Sequence, residues 1–96
     1  MISKIRKRNG DVVDFQSEKI TRAIFKAANA VGGNDWDRAN DLTQQVVVMV
    51  DANFEGDVVD VEKIQDLVEK VLIENGHAKT AKAYILYREK RRGARE

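Results

Sequence analysis

Lys7 and Arg8 run into an Asn9-Gly10 pair, and Phe15, Lys19 and Ile20 follow shortly after. These residues have types and spacing that could do chemistry, and the chemistry is anion binding. Two cations beside a tight turn, a Lys in the first turn of the next helix, and that helix's free N–H groups can together hold a polyphosphate. Phe15 and Ile20 stand close enough in sequence to wall an aromatic base. An apolar slot for a ring, with cations converging on phosphates, is the general form of a nucleotide site. The same residues also suit a solvated basic strand, and the pattern alone leaves both readings open.

Catalytic sets are missing. The chain has no Cys, so there is no thiolate nucleophile, disulfide scaffold or zinc-finger spacing. The single His, His77, has no Ser partner at readable spacing and reads as a water-exposed residue at a helix start. Asp35, Asp37, Asp41, Asp57, Asp60 and Glu62 supply many carboxylates. Those near helix starts are explained by capping and by the helix dipole. No calcium loop, P-loop or GxGxxG is present. A binding module without catalysis is therefore expected, and no metal ligands are assigned.

With 96 residues the chain has room for one domain and one core. It holds no apolar run of about 18 residues, so no membrane span is expected. The N-terminal stretch lacks an apolar h-region, which predicts a cytoplasmic location. Charge is uneven. Residues 1–34 hold seven Lys/Arg against three Asp/Glu, residues 35–75 three against eleven, and residues 76–96 seven against two. If the basic ends meet in the fold, they form one positive patch facing an anionic partner. Alternatively, the acidic and basic segments neutralise each other across a small bundle.

The elements that must position these residues follow from the breaks. Without Pro, punctuation falls to Asn9-Gly10, Gly32-Gly33-Asn34, Glu55-Gly56-Asp57 and Asn75-Gly76. Asn9-Gly10 predicts a hairpin over about residues 3–15, because both residues tolerate positive φ. Its outgoing strand, Lys4-Ile5-Arg6-Lys7-Arg8, carries four cations and reads as a flap lying over something. Ser17 is expected to cap a helix over 17–31, with Ile20, Ala23, Ile24, Ala27, Ala28 and Val31 as its stripe. Asn34 or Asp35 is expected to cap a second helix, 35–54, striped by Trp36, Ala39, Thr43, Val46, Val47, Val50 and Phe54. The run Val46 to Val50 also fits a buried strand, but the preceding residues continue the helical period. Asp60 is expected to cap a third helix, 60–75, flanked by Val59 and Ile64 at the staple positions. A fourth runs over 78–92, with Ala81, Tyr84, Ile85 and Arg88 on one face. The fold class is α+β, mostly α: an N-terminal β-hairpin lid over a four-helix bundle.

Lys7-Arg8-Asn9-Gly10, then Val13, Phe15, Glu18-Lys19-Ile20 and Ala23-Ile24, resemble the opening of the ATP-cone. Val61 to Glu69 is similar to that module's third helix, and Ala81 to Arg91 to its closing helix. The resemblance covers about residues 3–92. It implies a hairpin lid over four helices and an allosteric ATP- or dATP-sensing domain of a ribonucleotide reductase, of the anaerobic or cobalamin-dependent type. It implies adenine nucleotides as ligands, Mg2+ with the triphosphate, a reductase catalytic domain or subunit as partner, and homo-oligomerisation. By the same resemblance Lys7 and Arg8 meet the nucleotide, and Asn9 and Gly10 form the lid turn. Phe15, Lys19 and Ile20 then surround adenine and phosphates, and Lys90 contacts phosphate from the last helix. Val13, Val61 and Gln65 depart from residues that some cones carry near the ribose. A repressor that carries a zinc ribbon before its cone is disfavoured by the lack of Cys. The alternative from charge alone is a small basic-patch nucleic-acid-binding or scaffold protein. The acidic middle and the lack of helix-turn-helix spacing weigh against nucleic acid.

Overall fold

In the computed structural model, which describes residues 1–94, the Gly and Asn breaks separate four helices. They are α1 (Ser17–Ala30), α2 (Trp36–Asn53), α3 (Val61–Glu74) and α4 (Ala78–Ala94). α1 packs on α2 and α4, and α3 packs on the same two, which closes a four-membered ring of helices. The apolar stripes meet at its centre, where Ile24, Val46, Val50, Val68, Val71 and Leu72 are at most 1% exposed. Two hydroxyls share this core without being orphaned. Thr21 donates to Thr43 Oγ1 at 2.7 Å, and Thr43 donates to the Ala39 carbonyl at 2.9 Å. The Val46–Val50 run lies within α2, so the helical period won over the strand reading.

The sheet is larger than a hairpin. β1 (Lys4–Arg6) pairs antiparallel with β2 (Val12–Asp14) and, on its other edge, parallel with a third strand, β3 (Val58–Asp60). The strand order is β2-β1-β3. β3 feeds directly into α3, so the flap is stitched to the start of that helix. The Ser3 and Lys4 N–H groups both donate to the Asp57 carbonyl, and the Ile2 N–H donates to the Asp51 carboxylate. Ile2 itself is buried in the hydrophobic core.

Local details correct the expected caps. Gln16, not Ser17, occupies the N-cap of α1 and makes no side-chain cap bond. The cause is that β2 runs on into the helix: Phe15 N–H still pairs with the Ser3 carbonyl, and Lys19 N–H closes on the Gln16 carbonyl. Asp35 caps α2 through the Arg38 N–H at 2.9 Å. Asp60 stands at the N-cap of α3, yet its carboxylate serves Arg6 instead, at 2.9 Å. Val59 and Ile64 are both buried, as the staple positions require. α1 ends one residue early, leaving Val31 exposed. Gly32 takes φ +95°, and the Gly32 and Gly33 N–H groups close on the Asn29 and Ala28 carbonyls. Trp36 is also exposed, its ring edge-on to Phe25 at 5.2 Å, and Leu42 takes the core place instead.

Candidate functional site

The lid turn is a three-residue loop, Arg8-Asn9-Gly10, closed by the Lys7–Asp11 pair. Lys7 N–H donates to the Asp11 carbonyl, and Gly10 N–H donates back to the Lys7 carbonyl. Only Gly10 has positive φ, +96°, which gives a bulged hairpin end. The Asn9 side chain accepts from the Asp11 N–H and donates to the Asp11 carboxylate, so it braces the turn. This loop holds Arg8 inward over α3 while Lys7 stays at the surface.

Parallel pairing with β3 fixes what lies beneath. Arg6 is opposite Asp60 in register, so the next cation, Arg8, reaches the first two turns of α3. Its Nε donates to Glu62 Oε2 at 2.6 Å, and its Nη2 donates to Gln65 Oε1 at 2.9 Å. Residues 62 and 65 share a helix face, which makes this two-point grip possible. From α4, Arg88 and Arg92 arrive on the same carboxylate: their Nη2 groups donate to Glu62 Oε1 at 2.7 and 3.0 Å. Arg88 also binds Asp66 at 2.9 Å and Glu69 at 2.6 Å. The two basic ends of the chain therefore do meet, across an acidic stripe on α3.

The electrostatics follow from that meeting. The Arg88 guanidinium, seconded by Arg8 and Arg92, holds the Glu62 carboxyl down at about 2 against an ordinary 4.5, over the opposing effect of burial. Burial is the largest influence on Arg88 and disfavours its charge. The bonds to Glu62, Glu69 and Asp66 outweigh it and keep that guanidinium more firmly protonated than usual. A depressed carboxyl stabilises the fold above its unfolded value and loses that contribution as pH falls toward its folded one. The melting temperature is therefore expected to drop on acidification from pH 4.5 to about 2. A Glu62→Gln variant should show a flatter profile across that window, and an identical profile would remove Glu62 as the cause.

A cleft of about 440 Å³ opens beside this hub. Arg6, Lys7, Arg8 and Gly10 line it from the hairpin, residues 60–62 from β3 and the start of α3, and Arg92 from α4. Lys7, Arg8 and Gly10 are thus brought together at one cleft. Asn9 sits exposed at the turn, and Lys19 is exposed in the first turn of α1. Phe15 is half-buried against the core, and Ile20 is a core residue at 9% exposure. Lys90 is exposed, two residues on from Arg88, about 200° around the helix from the face that meets α3. None of these five lines the cleft. Lys7, Lys19 and Lys90 make no ion pair among the described residues.

Sequence reasoning missed Glu62 as a hub and Arg92 as a cleft residue. The signal was present: Glu62, Asp66 and Glu69 form an acidic stripe at helical spacing, and Arg88 and Arg92 a basic one. Among the described residues no helix is long and apolar enough to cross a membrane.

Comparison with known proteins accords with this architecture. The model of the ATP cone domain family matches residues 3–93. The chain is 44% identical over 101 residues to a vitamin B12-dependent ribonucleoside-diphosphate reductase of Thermoplasma acidophilum, covering 100% of this chain and 13% of the reductase. It is 36% identical over 96 residues to an anaerobic ribonucleoside-triphosphate reductase of Salmonella typhimurium, covering 100% and 13%. It is 38% identical over 104 residues to a ribonucleoside-diphosphate reductase subunit alpha of Chlamydia muridarum, covering 99% and 10%. The chain thus spans little more than a tenth of these relatives' length. A hairpin stitched over four helices, matched across nearly its full extent, places the chain in the ATP cone domain family.

Proposed function

We propose that this domain is a non-catalytic allosteric sensor that binds ATP or dATP and controls the activity or oligomerisation of a ribonucleotide reductase. Family membership supports the coarse reading, a nucleotide-binding regulatory role. One observation supports it from geometry: cations from the lid tip and from the last helix converge on a single cleft. In this reading Lys7 and Arg8 meet the phosphates, Lys19 adds charge from the start of α1, and Lys90 lies outside the cleft. Phe15 and Ile20 wall the adenine, and Asn9 and Gly10 shape the turn. No three His, Asp or Glu side chains among the described residues are grouped to hold a metal, so Mg2+ would arrive on the triphosphate, held by phosphate and water.

Sensing requires that ATP and dATP favour different states of the lid or of an interface, because a ligand with equal affinity for both shifts nothing. A differential of a few kcal/mol suffices. The partner is a reductase catalytic domain or subunit, with self-association as the second route. The nucleic-acid alternative predicts instead salt-dependent DNA binding without nucleotide preference. Titration calorimetry with ATP and dATP is expected to show saturable binding of at least one. No saturable heat with either would end the reading. Particle mass measured without ligand, with ATP and with dATP then tests the oligomerisation arm.

A further inference from the structure

The two cleft-lining arginines that face the hub are already engaged by the domain's own anion. Arg8 gives its Nε to Glu62 Oε2, and Arg92 gives Nη2 to Glu62 Oε1. Arg88 is placed differently. It is buried, and it retains Asp66 and Glu69 whether or not Glu62 stays. Glu62 is thus the carboxylate that can leave without stranding the buried guanidinium. Its side chain is 38% exposed, at the second position of α3, with an open path to water.

A guanidinium accepts a carboxylate or a phosphate through the same fork of N–H donors. Arg92 Nη1 also donates to Glu89 at 3.1 Å, so with Glu62 in place three arginines face four carboxylates and the cluster carries one net negative charge. With Glu62 turned out it loses that negative charge beside Lys7, which makes no ion pair among the described residues. We propose that Glu62 is an internal competitor for the ligand's phosphates, holding Arg8 and Arg92 until a phosphate group takes its place. Glu62 is then an affinity-setting residue. It raises the concentration of nucleotide at which the site fills, and its displacement unlatches the lid tip from α3, because Arg8 leaves Glu62 and Gln65 together. This rests on the nucleotide reading above.

The test is calorimetry at fixed ionic strength with two probes, ATP and inorganic tripolyphosphate. Wild type is compared with Glu62→Gln, and Arg8→Ala with the Arg8→Ala/Glu62→Gln double variant. An amide accepts a weaker, uncharged bond, so Glu62→Gln is expected to tighten tripolyphosphate about tenfold. The gain should vanish in the Arg8→Ala background. Glu62→Asp, shorter by one methylene, should move the same way by less, and it carries the test where Glu62→Gln melts below the working temperature. Equal or weaker tripolyphosphate binding by both Glu62 variants overturns the proposal. Failure of the wild-type domain to bind ATP or dATP overturns the nucleotide reading instead, and the tripolyphosphate comparison still decides the role of Glu62.

Discussion

Arg88→Ala is expected to destabilise the domain by about 3 kcal/mol, at the lower end of what breaking a buried charge pair costs. The lower end applies because the partners are not deeply buried: the side chains of Glu69, Glu62 and Asp66 are 23%, 38% and 68% exposed. For a domain of this size that corresponds to a melting temperature lower by roughly 12 °C or more. The variant leaves Glu69 and Asp66 without their partner, while Glu62 keeps Arg8 and Arg92. Arg88 also brings a liability, since its Nε is buried without a partner. Arg88→Met keeps the apolar stem against Tyr84 and the core but supplies no donors. It should recover less than half of the loss, because the cost lies mainly in the unpaired carboxylates. Urea denaturation of the three proteins checks this. A loss below about 1 kcal/mol for Arg88→Ala would mean that water screens the hub as it does an ordinary surface ion pair.

Replacing Lys7 and Lys19 together with Ala is expected to weaken ATP binding by at least about a hundredfold. Each charge-assisted contact to phosphate is worth about 1.5 kcal/mol or more, and about 1.4 kcal/mol is a factor of ten. The fold should be unaffected, because both side chains are exposed and outside the ion-pair network of the described residues. The single variants then locate the ligand. Lys7 lines the cleft and Lys19 does not. A loss confined to Lys7→Ala would place the phosphates between the lid tip and α3. A comparable loss for Lys19→Ala would extend them to the start of α1. Unchanged affinity in the double variant would clear both residues of a role.

The four helices were legible because each carries apolar residues at three- and four-residue spacing, a local signal that needs no knowledge of neighbours. The hairpin was legible from Asn9-Gly10, which is likewise a local signal. β3 was not. Val58-Val59-Asp60 satisfies a staple-and-cap pattern read locally, and it becomes a strand only because β1 lies alongside it. Arg88 was readable as sharing a face with Ala81 and Tyr84, but nothing in its own helix names Glu62, 26 positions earlier, as the group it meets. Lys90 shows the opposite case. The family pattern singles it out, and the geometry turns it away from the hub that Arg88 and Arg92 share.

The pairing of β1 with β3 joins segments 54 positions apart. During synthesis β1 must wait until β3, 54 positions further on, has emerged before its parallel partner exists. An isolated two-stranded ribbon is marginal in water, so the N-terminal segment has little to hold it until the bundle is assembled. The lid is thus a late arrival in folding and an early departure in local opening. Amide exchange along β1 should therefore run ahead of exchange in α2 and α3 while the bundle stays closed.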